Sequence, residues 1–160
     1  MKQHTVTDSP YGPLTLVAED GVLCGLYMAG QRHRPPEESF GDRDDTPFAA
    51  AKEQLSAYFA GELRTFTIPL RLRGTPFQLK VWEQLRAIPY GETRSYGQLA
   101  HALGNPGASR AVGLANGRNP IGVIVPCHRV VGATGSLTGY GGGLPRKRRL
   151  LDFERGTGLF

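Results

Sequence analysis

The sequence predicts an α/β chain: an antiparallel sheet with one helix, then a mostly helical domain built around a helix-turn-helix. Three observations carry this. Two alternating apolar segments, Leu14 to Val17 and Val22 to Tyr27, flank Asp20-Gly21, a dipeptide suited to the positive φ of a hairpin turn. Two capping boxes, Thr75-Pro76-Phe77-Gln78 and Ser95-Tyr96-Gly97-Gln98, open segments of helical periodicity. The charge changes sign between the halves. Residues 1–70 carry six Lys/Arg and ten Asp/Glu, a net −4, whereas residues 71–160 carry thirteen and four, a net +9. Residues 1–70 are read as the first domain, 71–74 as a linker and 75–160 as the second.

In chain order, the hairpin is followed by residues 30–46, polar, acidic and Pro-bearing, which read as a surface loop. Phe48, Ala51, Leu55 and Tyr58 recur at helical spacing, with Pro47 suited to the first turn and Gly61 to the end. Phe66 to Leu70 reads as a short strand. The first capping box then opens a helix with the stripe Phe77, Val81, Leu85 and Ile88, broken at Pro89-Tyr90-Gly91. The second opens a short helix carrying Leu99 and Leu103. Gly104 to Gly107 is a tight turn, and residues 108–117 form an Ala- and Gly-rich helix. Two short helices across such a turn make a helix-turn-helix pattern, which also occurs as a plain packing unit. Ile121 to Val125 reads as a buried strand or extended segment ending at Pro126-Cys127-His128-Arg129. A Gly-rich loop, Gly139 to Gly143, precedes a last helix that starts near Pro145.

Composition removes several classes of protein. At 160 residues, 39% hydrophobic and 21% charged, the chain can bury a core and is not disordered. No apolar run approaches the roughly 18 residues of a membrane span. Met1-Lys2-Gln3-His4 lacks the apolar stretch of a signal peptide. Two cysteines build no disulfide framework, so a reducing compartment, the cytoplasm, is expected. The net charge of +5 and the basic second half suit a polyanion, nucleic acid first, and equally a solvated basic surface.

Cys127 is the leading candidate for chemistry. A cysteine ending an apolar run is usually inert core. Here Pro126 fixes the backbone before it, and His128 and Arg129 set cationic or polarising groups beside it that would favour a thiolate. Adjacent residues of an extended chain point to opposite faces, so His128 reaches the sulfur only through a turn or a water. Orienting the imidazole also takes a carboxylate. Of the four acids after position 70, Glu154 lies on the apolar side of the last helix, although from spacing alone a surface glutamate is favoured. Cys24 reads as core, and a zinc site from Cys24, His4, His33 and His101 fits no common spacing. For nucleic acid, Ser95 caps a helix whose amides suit a phosphate, beside Tyr96. Arg110 projects from a nearly bald helix bearing Ala111 and Gly113.

Pro126-Cys127-His128-Arg129-Val130 resembles the active-site signature of the O6-alkylguanine-DNA alkyltransferases, the methylated-DNA–protein-cysteine methyltransferases. The context is similar too: Arg110-Ala111-Val112-Gly113 through Asn119-Pro120, Ile88 to Thr93 with Ser95-Tyr96, and Tyr140 with Gly141-Gly142-Gly143. The resemblance is strong over residues 75–155, while the N-terminal half fits in length and pattern, including Asp8-Ser9-Pro10 and Gly12. It implies a ribonuclease-H-like first domain and a winged helix-turn-helix second. It implies irreversible, single-turn transfer of an alkyl group from O6-alkylguanine, or O4-alkylthymine, in flipped-out duplex DNA.

The implied roles follow residue by residue. Cys127 is the acceptor thiol. His128 acts on it through a water and Glu154 orients the imidazole. Asn119 ties the helix-turn-helix to the active-site strand. Tyr96 donates toward guanine N3, and Arg110 fills the gap left by the flipped base. Gly141 offers a backbone N–H to guanine O6, the carbonyls of Cys127 and Val130 accept from the exocyclic amine, and Tyr140 and Lys147 line the pocket. Ser95, Ala111 and Gly113 join Arg110 in contacting DNA. No cofactor and no metal are expected, and a monomer, whose cooperativity on DNA the sequence leaves open, acts on double-stranded DNA and no membrane. Two alternatives remain at this point. A noncatalytic alkylguanine-sensing DNA-binding protein would lack the acceptor cysteine. A cysteine hydrolase would explain Cys127, His128 and Glu154 but not Arg110 or the charge asymmetry.

Overall fold

Residues 2–28 build the sheet of the first unit, Met1–Arg73, in the computed structural model, which describes residues 1–156. Strands β1 (Lys2–Thr7), β2 (Leu14–Glu19) and β3 (Val22–Met28) run antiparallel in sequence, and β4 (Asp42–Arg43) adds to the free side of β1 in parallel. The β2–β3 turn is the expected hairpin, with φ of 51° at Asp20 and 81° at Gly21. Helix α1 (Ala49–Phe59) buries Ala51, Leu55 and Tyr58, the positions its spacing picked out. A 3-10 turn at Thr46–Phe48, containing Pro47, leads into it.

Two expectations for this unit are corrected. The 30–46 stretch is not merely a surface loop. Phe40 is buried at the end of a 3-10 turn, stacks on Tyr27 at 5.6 Å and lies under the Arg34 guanidinium. Gly41 then brings β4 against β1 so closely that a Cβ there would lie 1.9 Å from the Lys2 carbonyl oxygen. Phe66 to Leu70 forms no strand; only Leu70 bridges to Leu23. Pro69 has no N–H to give to a ladder. The Thr67 N–H donates instead to Gln54 Oε1 at 2.9 Å, while Gln54 Nε2 donates to Thr67 Oγ1 at 2.7 Å. Arg71 and Arg73 close the unit on Glu19.

The second unit starts at Gly74. Residues 157–160, the end of the C-terminal domain expected at 75–160, lie outside the described residues. Both capping boxes form in full, Thr75 with Gln78 and Ser95 with Gln98, and open helices α2 (Pro76–Arg86) and α3 (Tyr96–Ala102). Helix α4 (Ser109–Gly117) packs against both, and Trp82 of α2 donates its indole N–H to the Ala115 carbonyl at 2.9 Å. A short parallel pair, β5 (Arg94–Ser95) with β6 (Val130–Val131), joins the start of α3 to the segment after Cys127. Helix α5 (Leu144–Glu154) seats Lys147, Leu150, Leu151 and Glu154 inward. No helix among the described residues is long and apolar enough to cross a membrane.

The 121–125 run is corrected as well. It is buried throughout, yet it is a series of turns rather than a strand. Val123 has a φ of 68°, and the Ile124 N–H donates to the Gly122 carbonyl at 2.8 Å, a γ-turn of the positive-φ kind. Such a conformation at a β-branched residue costs about 1–3 kcal/mol. Asn119 holds it in place. Its Nδ2 donates to the Val125 carbonyl at 2.8 Å, and its Oδ1 accepts from the Ile121 N–H at 3.0 Å.

Candidate active site

Cys127 opens a 3-10 turn, Cys127–Arg129, directly after this strained segment. The turn answers the geometric difficulty of adjacent residues, because the chain here is not extended. Cys127, His128 and Arg129 are all buried, and the whole turn is carried against the C-terminal end of α5.

At its centre is a three-residue cluster. His128 Nε2 lies 2.8 Å from Glu154 Oε2. Arg129 grips the same carboxylate with both prongs, Nε to Oε1 at 2.8 Å and Nη2 to Oε2 at 2.9 Å. The remaining Arg129 nitrogen, Nη1, donates to the Ile88 carbonyl at 2.7 Å. Burial works against ionisation of Glu154, but His128 and Arg129 overcome it and hold the carboxyl well below its ordinary range. Burial also pushes His128 below its ordinary value, and the pull of Glu154 does not restore it with Arg129 already on that carboxylate. We therefore read an ionised Glu154 and a neutral His128. A carboxylate only accepts, so Nε2 carries the ring proton. Nδ1 is then a bare lone pair, buried with no hydrogen-bond partner among the described residues.

Two expectations change. Glu154, favoured from spacing as a surface residue, is 6% exposed, because the Arg129 fork satisfies it in the interior. Nor do His128 and Arg129 act as cations on the thiol: His128 is neutral and the Arg129 charge is matched by Glu154. Burial raises the Cys127 pKa above its ordinary value, and the Asn119 side chain and the Lys147 charge offset this only in part. The resting sulfur is a thiol.

Lys147 is fully buried, and burial pulls its pKa down to about 8. Its Nζ donates to the Thr138 carbonyl at 2.7 Å and reaches that of Gly139 at 3.4 Å. The Tyr96 hydroxyl, from α3, donates to the same Thr138 carbonyl at 2.8 Å. Two donors from different helices thus anchor the start of the loop that holds Tyr140 and Gly141, both half-buried. Between pH 8 and the usual pKa of 10.5 the unfolded chain holds a proton on Lys147 that the folded chain has released. Stability contributed at this position therefore rises with pH across that window. In Lys147→Met the rise is expected to be missing, so the variant loses about 3 kcal/mol relative to the parent from pH 8 to 10.5. Paired urea titrations at several pH values read this; a constant difference would refute it.

On α4 the outward face carries Arg110, Ala111, Leu114 and Arg118, with Leu114 70% exposed. Gly113 instead faces inward, where a Cβ would touch the Tyr96 ring at 3.7 Å. Ser95 accepts from the Gln98 N–H as the α3 cap. Val130 is buried, and its N–H donates to the Cys127 carbonyl. That carbonyl also receives Asn116 Nδ2 at 3.4 Å. Asn116, Leu114 and the pairing of Arg129 with Glu154 went unread in the sequence. Ala115-Asn116-Gly117 looks like a helix end, and nothing local ties residue 129 to residue 154. Among the described residues no three His, Cys, Asp or Glu side chains are grouped to hold a metal ion.

Comparison with known proteins gives a consistent picture. Residues 2–72 match the family described as 6-O-methylguanine DNA methyltransferase, ribonuclease-like domain, and residues 76–156 match its DNA binding domain. A methylated-DNA–protein-cysteine methyltransferase of Mycolicibacterium paratuberculosis is 57% identical over 155 residues, covering 97% of this chain and 93% of that one. The constitutive enzyme of the same name from Bacillus subtilis is 45% identical over 159 residues, covering 97% and 96%. Among solved structures, Mycobacterium tuberculosis OGT in complex with DNA superposes with a TM-score of 0.91 at 55% identity, covering 98% of this chain and 94% of that chain.

Proposed function

The chain belongs to the 6-O-methylguanine DNA methyltransferase family, and on that premise we propose that Cys127 is the thiol that takes the alkyl group. The protein is a methylated-DNA–protein-cysteine methyltransferase, which repairs DNA by direct reversal through alkyl transfer. Its partner is DNA, and we propose that the substrate is duplex bearing O6-alkylguanine. We place it in the cytoplasm, where a reducing environment keeps Cys127 a free thiol.

The observation that carries the assignment is the bare Nδ1 of a neutral, buried His128 whose Nε2–H is held by Glu154. Through one water, Nδ1 takes the Cys127 proton as the sulfur attacks the alkyl carbon in line with the C–O6 bond. The S–C bond forms, the C–O6 bond breaks, and the electron pair goes to the purine, which receives the proton in turn. Hydrogen bonds on the base ease its departure: the Gly141 N–H toward O6 and the Tyr96 hydroxyl toward N3. Tyr96 donates to Thr138 in the free protein, so it trades that partner for the base. The Cys127 and Val130 carbonyls orient the exocyclic amine, and Tyr140 and Lys147 complete the wall. Asn119 positions Cys127 by holding the 121–125 turns. The product is a thioether that water does not cleave, so each molecule acts once. An acyl-enzyme hydrolase would turn over. Intact mass after exposure to an excess of O6-methylguanine oligonucleotide tests this: one methyl per chain is expected, and none, or continued turnover, would end the assignment.

A base within the stack is out of reach of a buried thiol, so the nucleotide is flipped out at a cost of a few kcal/mol. Arg110, on the outward face of α4, fills the gap, while Ser95 and Ala111 contact the backbone nearby. Arg110→Ala should slow repair at saturating duplex by about tenfold or more, with little effect on free O6-alkylguanine, which has no stack to open. Equal losses on both substrates would make Arg110 a support of the pocket instead.

A further inference from the structure

Away from Cys127, a cavity of about 140 Å³ opens between α5 and the turn that follows β6. Its polar lining is Thr93, Ser136, Arg148, Asp152 and Arg155. Arg148 of α5 and Arg155, which caps the end of that helix, are seven residues apart, two helical turns, and both line the cavity. Both are exposed, and among the described residues neither guanidinium has an ion-pair partner. Arg129, Arg94 and Arg86, by contrast, each sit on a carboxylate, of Glu154, Glu92 and Glu83 respectively. With one carboxylate, Asp152, against two guanidinia, the cavity is net positive. The hydroxyls of Thr93 and Ser136 in its lining can donate to an anion that enters. Two guanidinia and two hydroxyls around a small cavity suit a tetrahedral oxyanion, since the guanidinium fork matches a pair of phosphate oxygens.

The cavity is also connected to the chemistry. Thr93 immediately precedes β5, whose Arg94 and Ser95 pair with Val130 and Val131 of β6, and Val131 itself lines the cavity. One short ribbon thus joins it to Ser95 and Val130 of the proposed DNA and base contacts.

We propose that this cavity binds a phosphate group, a DNA backbone phosphate lying outside the flipped nucleotide, with Arg148 and Arg155 as its cationic ligands and Thr93 and Ser136 as donors. The proposal rests on the reading of the chain as a duplex-DNA repair protein. Its contact is electrostatic and independent of base sequence. It anchors the duplex at a second point while Arg110 works at the lesion.

The test compares three full-length proteins: the parent, Arg148→Ala/Arg155→Ala, and Lys80→Ala/Arg86→Ala on α2, which loses the same charge elsewhere. Alkyl transfer to free O6-alkylguanine should be equal in all three, which establishes that the fold is kept. On undamaged duplex, the slope of log affinity against log salt should shrink by about one in the Arg148/Arg155 variant and not in the α2 variant. In a second arm, inorganic phosphate replaces chloride at matched ionic strength. A rise in the thermal midpoint of the parent that the Arg148/Arg155 variant lacks, with an unchanged duplex slope, would keep the oxyanion site and make free phosphate its source. If neither arm separates the cavity variant from the parent, or if both double variants lose the same slope, the proposal is overturned. Failure of the underlying reading shows differently, as a parent protein that takes no alkyl group from methylated duplex.

Discussion

Cys127→Ser is expected to abolish alkyl uptake while leaving duplex affinity within about twofold of the parent. The loss should reach at least the order of 10⁴-fold, as removal of an attacking group does in other covalent enzymes. The reason lies in the sulfur and not in its surroundings. Displacement at a saturated carbon takes a soft, ionised nucleophile. Near neutral pH a serine hydroxyl is not ionised, and a neutral imidazole at His128 is too weak a base to ionise it. The substitution is nearly isosteric, and it leaves the 3-10 turn, the Asn119 contacts and the outward face of α4 in place. Binding should therefore survive. The measurement is intact mass with peptide mapping after exposure to methylated duplex. Methyl mass on Cys24, half-buried in β3, would mean that the acceptor has been misassigned.

Glu154→Gln should produce the next largest change, and in two separable ways. Both carboxylate oxygens accept, from His128 and from two nitrogens of Arg129. An amide cannot serve both partners. If its NH₂ meets Arg129, donors face donors around a buried guanidinium. If its NH₂ meets His128, Nε2 becomes the acceptor and the ring proton moves to Nδ1, closing the lone pair through which we propose Cys127 is deprotonated. Breaking one side of a buried pair costs about 3–5 kcal/mol, visible as a lower urea midpoint. Loss of the general base should slow transfer on the order of 10²-fold, and the Cys127 pKa should rise further. Rate and pKa are to be read well below the unfolding temperature, on free base as well as duplex. A purely structural Glu154 would lower the midpoint and leave the thiol titration where it was.

Much of this arrangement was legible in the residues because the signals were local. The Asp20-Gly21 turn, both capping boxes and the α1 stripe each declare themselves within a few positions, and all form as read. What escaped depended on partners distant in sequence. Phe40 looks like one aromatic in an acidic loop until Tyr27 and Arg34 close on it. Thr67 looks like part of a strand until Gln54 takes its N–H. The 121–125 run has the composition of a buried strand, but the Asn119 amide bends it into turns that composition does not encode. At the site, Cys127 and His128 were visible as a pair. The state of the thiol was not, because burial sets it, and the charge of Arg129 beside it is matched by Glu154, 25 residues away in the chain.

The un-ionised, enclosed sulfur of Cys127 bears on how long the protein stays useful between synthesis and its single event. A molecule that reacts once has no way to recover from a mistaken reaction. Every diffusing electrophile or oxidant that reached a standing thiolate would retire a copy without mending any DNA. Holding the thiol protonated and away from solvent keeps it dormant toward small reagents in water. In the proposed reaction the base is delivered into the pocket, and His128 draws off the proton as the alkyl carbon is aligned. Slow chemistry toward strangers and committed chemistry toward one guest come from one placement of one side chain. The number of intact copies in the cell is then depleted by lesions and not by exposure.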